Sequence, residues 1–485
     1  MQTPADDLDA FIDAPTVARI GWLTHRRIIF FVIGWLSLFA LLSALLSNPF
    51  RSESSASATP NYWHVMFLHA LLIGTVALGA LLACQVLRLR SMHVRVWIAL
   101  GALAATIPVA IGGIFDRHVP GDELAVWIQV AGFFALDEIF VVLLAGIVAE
   151  WRRGSSATRT LAYLAAGIAT ASMLAAAVMG HLAGWILEYG NTPALIGRYA
   201  HFIGTTTTAW KDALVGSHSH EMVVAMMAFV VALAAQQFDY QSLTGASRLL
   251  ARIGLAAVAI GTVAMSGMYL AAGFSTWAPP AWFTSAGATN GVASDDVVTG
   301  IFVMGGGLLV LLAYALVGTG AAASLRRRPL RVAAAWSWVL SFATVVIAGY
   351  SIELDETHFG AGDPKAAGAA NDAVFTWLHQ DIGLFLLPTL VLLMLVAERL
   401  IVPRCQGAIG WLAAVGSTVT FVGGLVFVFV NPALHGPGYA ITTAGLGIVG
   451  AAVLATMWWG TLGARRPGGG GDVLTTAPVS GELSS

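Results

Sequence analysis

Residues 215–233, VGSHSHEMVVAMMAFVVAL, set His218, His220 and Glu221 at the head of an unbroken apolar run. Two other stretches repeat that layout, NYWHVMFLHALLIGTVALG at 61–79 and FTWLHQDIGLFLLP at 375–388. Each places a histidine in the first turns of a segment apolar enough to enter a bilayer. Taking His69, His220 and His379 as equivalents, the separations are 151 and 159 residues. Four apolar segments fill each interval. The chain therefore reads as three pseudo-repeated four-helix units, each contributing a histidine from its second helix. A histidine turned to lipid is costly, which directs these side chains toward the bundle interior.

The composition agrees. Of 485 residues, 58% are hydrophobic and only 10% charged, where a soluble protein carries roughly 25% charge. The reading is an all-α polytopic membrane protein. Lys211 and Lys365 are the two lysines and neither follows a glycine, so a phosphate-binding loop of Walker type is excluded. A net charge of −2 gives no sign of nucleic-acid binding, and Cys84 and Cys405 provide neither a disulfide framework nor a covalent haem motif.

Apolar stretches of about 20 residues predict twelve spans: 28–47, 64–87, 94–114, 125–149, 160–187, 217–236, 249–273, 296–320, 331–352, 374–399, 407–430 and 438–460. Residues 1–27 form a cytoplasmic N-terminal segment without a cleavable signal pattern, and 28–460 the membrane domain. Residues 461–485 are a cytoplasmic tail, Gly-rich and polar after Arg466, expected to be disordered. With the N-terminus inside, nineteen of the 24 basic residues fall on inner segments and five on outer ones. That bias alternates through all twelve spans and puts both termini in the cytoplasm of a cell-membrane protein.

Ten of the twelve histidines fall in the outer half. His118, His201, His358 and His435 fit ordinary loop or interface positions. His218 and His220, two apart, point about 200° from each other on a helix, so they can serve two different sites. His64 and His69 are about 140° apart, with His69 about 7.5 Å deeper. Neither pair has the i,i+4 spacing that chelates one metal from one helix face, so ligand sets must assemble between helices. Asp137 and Glu138 sit side by side in the middle of the fourth span, each costing roughly 2.5–3.5 kcal/mol unless neutralised or paired. They read either as a proton relay or ion site, together with Asp381, or as buried structural carboxyls. The outer connections 188–216 and 353–373 read as solvated loops, and Gly305–Gly307 as a place of close helix packing.

Twelve helices, an inner N-terminus, three arcs of four, and histidines at the outer ends of spans 2, 6 and 10 together resemble the catalytic subunit of the haem-copper oxidase superfamily. The resemblance covers 28–460 as architecture. It implies a low-spin haem, one or two of b type, held by His69 (or His64) and His379. Ser219-His220-Glu221 is a partial match to that family's copper-binding His-Pro-Glu, which implies a second metal, copper or non-haem iron, at His218, His220 and Glu221. The run 218–222 also resembles a His-Ala-His-Glu-Met stretch of NnrS-type membrane haem proteins, linked to nitric-oxide stress, and Leu68–Leu71 is similar to another stretch of that group. Departures are plain: 249–295 holds no histidine, where the oxidases carry a pair, and position 224 is valine, where they carry tyrosine. A standard proton-pumping oxygen reductase is therefore not expected. The expectation is a haem protein of redox or diatomic-gas chemistry, with membrane lipid, a small gas and an outer-face electron donor as partners. The alternative is a proton-coupled transporter using intramembrane Asp, Glu and His.

Overall fold

The structure is a computed structural model, describing residues 28–29, 31–35, 62–118, 123–154, 160–189, 193–202, 206–238, 240–274, 299–316, 328–358, 378, 382–429 and 435–462. Among these residues there is no strand. The helices are α1 (Tyr62–Val86), α2 (Met92–His118), α3 (Glu123–Arg153), α4 (Leu161–Tyr189), α5 (Pro193–Phe202) and α6 (Thr207–Gln237). They continue with α7 (Gly245–Phe274), α8 (Gly306–Leu316), α9 (Pro329–His358), α10 (Leu387–Leu400), α11 (Pro403–Phe429) and α12 (His435–Leu462). Among the described residues eight helical stretches are long and apolar enough to cross a membrane, one of them α10 together with the turn before it (Ile382–Leu400), and three shorter apolar segments lie at Leu72–Val86, Met92–Ile107 and Ile301–Ala315.

Burial separates centre from rim. The spans within α6 and α10 are each 83% buried, against 39% in α3 and 44% in α7. On α7 the exposed side chains Leu249, Ile253, Ile260 and Val263 recur every three to seven residues along one stripe, the pattern of a helix with one face toward lipid. On α6 every residue from Glu221 to Ala235 is buried, so no face is left for solvent or lipid. The helices α1, α6 and α10, which hold the second, sixth and tenth predicted spans, touch one another pairwise. Around them α2 packs on α3, α4 on α6 and α7, α7 on α8, α9 on α10 and α11, and α11 on α12.

The central contacts are tight. Thr389 donates its hydroxyl to the Phe385 carbonyl at 2.7 Å, so in the 2.9 Å bond between the two threonines Thr75 is the donor to Thr389. Gly79 lets the Phe229 ring of α6 lie against α1, where an added Cβ would come within 3.2 Å of the ring. Gly306 faces the Gly254 carbonyl of α7, with room for no side chain (2.7 Å to an added Cβ). The glycine run at 305–307 thus performs the close packing its composition predicts.

Three expectations change. Residues 188–216, read as a solvated loop, contain α5 and the start of α6, because Tyr199 stacks near Trp210 (4.9 Å) and donates to the Phe274 carbonyl at 3.1 Å. Met179, Ala183, Ala200, Trp210 and Leu214 form a small apolar core there. The first residues of 353–373 also extend α9 to His358. Finally, two predicted spans begin with wide π-helical turns, Thr299–Gly305 before α8 and 382–386 before α10. Side chains of α9 satisfy both: Trp338 donates to the Met304 carbonyl at 2.9 Å and Ser341 to the Gly383 carbonyl at 2.5 Å.

Candidate functional site

His218, His220 and Glu221 lie about three turns into α6, at the start of its buried stretch. His218 Nδ1 lies 2.8 Å from the Ala176 carbonyl of α4. A carbonyl only accepts, so Nδ1 carries a proton. The ring lies over Gly180, where an added Cβ would come within 2.5 Å of it. His220 turns the other way, its Nδ1 2.8 Å from Tyr269 Oη on α7. The two-residue spacing thus sends the rings to different neighbours, as the helical angle requires. Glu221 is 1% exposed. Ser266 lies beside it, but that hydroxyl donates to Ser172 at 2.5 Å. Neither carboxylate oxygen has a hydrogen-bond partner among the described residues. Burying a carboxyl group so is expensive, and packing alone does not explain its choice.

His218, His220 and Glu221 therefore do not converge with one another. Among the described residues no three His, Cys, Asp or Glu side chains are placed to hold a metal ion. His64 and His69 lie near the start of α1, with side chains outside the described set. His379 and Asp381 also lie outside the described residues.

Asp137 has found a partner that the sequence reading did not assign. Its Oδ2 lies 2.6 Å from His181 Nε2 of α4, both side chains partly buried. The His181 ring stacks on Phe134 at 4.8 Å and 11°, with Phe133 edge-on at 6.3 Å. Asp137 Oδ1 is buried with no partner among the described residues. Glu138, one residue on, is half-buried on another face. The available signal was depth: Asp137 is 16 residues before the end of α3 and His181 is 20 after the start of the following antiparallel α4. At 1.5 Å per residue those heights differ by about 6 Å.

A polar knot closes the arginine-rich end. Glu398 of α10 accepts from Arg331 and Tyr314 and from Gln237 at 3.0 Å. Gln237 also donates to the Leu395 carbonyl at 3.0 Å, and Arg331 lies over the Tyr314 ring at 4.8 Å. The ends of α6, α8, α9 and α10 are thereby pinned together. Sequence reading singled out none of these residues except as topology markers.

No family model, no curated protein and no solved structure matches the chain.

Proposed function

We propose that the chain is a haem-binding membrane protein with twelve spans in three four-helix units and both termini cytoplasmic. Its chemistry is redox turnover or capture of a diatomic gas such as nitric oxide. One observation carries the reading. The helices α1, α6 and α10, which hold the second, sixth and tenth predicted spans, contact one another pairwise, which supports bringing the histidines of those spans to one region.

The donor set would suit a haem, since His69 (or His64) and His379 would supply two imidazoles to hold it. The Thr75–Thr389 bond closes α1 against α10, so a haem held between these helices would lie on the His69 side of that level. His69 stands six residues outward of Thr75, about 9 Å. When bound, the haem supplies the iron that exchanges an electron or binds the gas. The chain's own contribution is to hold the imidazoles and exclude water. At His218 the Ala176 carbonyl holds Nδ1 and so fixes the ring's orientation, as such acceptors do for a metal-bound histidine. The described residues do not gather a set for copper or non-haem iron, and the proposal contains no step through a second metal.

The Asp137–His181 pair favours a second reading, a proton-coupled transporter in which this pair carries the proton. One preparation separates the two. Protein purified from haem-sufficient cells should show a Soret band and a pyridine-haemochrome spectrum near one or two haems per chain. A colourless, folded preparation that moves protons when reconstituted would overturn the haem reading.

A further inference from the structure

The turn after α1 is built in an unusual way. Arg88 has φ 52°, and among the described residues no other non-glycine has a positive φ. Leu89 N donates to the Cys84 carbonyl (3.1 Å) and Arg88 N to the Gln85 carbonyl (3.3 Å). This is a helix stop in which the left-handed position is normally glycine. The chain follows that rule after α3, where Gly154 has φ 75°. Backbone geometry would therefore favour glycine at 88 as well, so the presence of arginine points to its side chain.

That side chain stands at the end of the three-helix core. The Thr75–Thr389 bond sets the register of two parallel helices. Arg88 lies 13 residues beyond Thr75 and Arg399 ten beyond Thr389, about 20 Å and about 15 Å along the axes. Both are exposed, and at Arg399 the charge of Arg88 acts after that of the adjacent Glu398. The neighbouring carboxylates are already engaged. Glu150 takes Arg153 at 2.5 Å and the Arg90 amide at 3.0 Å, while Glu398 takes Arg331, Tyr314 and Gln237. Arg399 uses one donor on Gln237 (3.2 Å), and Arg95 anchors the turn through the Leu89 carbonyl at 2.6 Å.

We propose that Arg88 and Arg399 form a binding site for a phosphate group at the arginine-rich end of the α1–α6–α10 core. Two guanidinium forks that share no carboxylate among the described residues match phosphate oxygens, supplied by an anionic lipid headgroup or by a soluble phosphate. The site does not depend on the haem reading.

The test is native mass spectrometry of the full-length protein in detergent, titrated with phosphatidylglycerol and, separately, with inorganic phosphate. Wild type is expected to retain one phosphatidylglycerol saturably. R88Q and R399Q should each weaken it about fivefold, the equivalent of about 1 kcal/mol per arginine at a membrane surface. R404Q, at another exposed arginine on the same side, should stay within twofold. R88G relieves the left-handed strain and should fold at least as well by thermal melting while still losing the lipid. Displacement of the lipid by millimolar phosphate, with phosphate alone raising the melting temperature, identifies a soluble phosphate as the source. Resistance to displacement identifies the headgroup. Wild-type affinity in R88Q, R399Q or R88G, or an equal loss in R404Q, overturns the site.

Discussion

Removing Glu398 should unlock the arginine-rich end of the bundle. Arg331 and Glu398 are each 17% exposed, so this pair is closer to the buried than to the surface case. Breaking a buried pair by deleting one partner costs roughly 3–5 kcal/mol, because the other charge is left uncompensated. Residual exposure lowers that to about 2–3 kcal/mol here. The Tyr314 hydroxyl and Gln237 amide also lose their acceptor, adding about 1 kcal/mol together. E398A is thus expected to lose on the order of 3–4 kcal/mol, and E398Q, which keeps an uncharged acceptor, about half. In an R331M background the same E398A change should cost about 2 kcal/mol less, the coupling energy of residues in one network. Equilibrium unfolding in mixed detergent–SDS micelles, followed by tryptophan fluorescence, measures wild type, E398A, E398Q, R331M and the double variant. A loss below about 1 kcal/mol for E398A, or an equal loss with and without Arg331, would refute the assigned geometry.

H181A should leave Asp137 without its partner in the membrane and destabilise the protein by about 1–3 kcal/mol, while H181A/D137N recovers much of that loss. Infrared difference spectra should show the Asp137 carboxyl band change in H181A, and an unchanged band would separate the two residues. G306V should disrupt the α7–α8 contact by about 1–3 kcal/mol through overpacking. G184A, with open space around the added methyl, should be neutral or slightly stabilising in the same unfolding assay; equal losses in both would remove the packing argument. In the haem reading, H69A and H379A each abolish the low-spin spectrum while H218A and H220A retain it, by optical and electron paramagnetic resonance spectra. Loss of the low-spin signal in H220A with its retention in H69A would move the haem to α6.

Sequence alone determined the all-helical, apolar character of this protein and the places of several of its helices. Charge is scarce and hydrophobicity long-ranged, and a bilayer demands helices of fixed length, so segments such as 217–236 and 249–273 recur within α6 and α7. The divergence of His218 and His220 was legible too, because it follows from 100° per residue along one helix. Tertiary structure alone decided which residues meet. Asp137 and His181 are 44 apart in the chain, and Glu398 draws its partners from positions 237, 314 and 331. Within one apolar segment every face looks alike to a hydropathy scan, since lipid and protein interior are equally apolar. Which face binds a neighbour is set by close packing and by the pairing of a few polar groups, as at Gly306 against Gly254 or Thr75 against Thr389. Those contacts exist only once the helices are assembled.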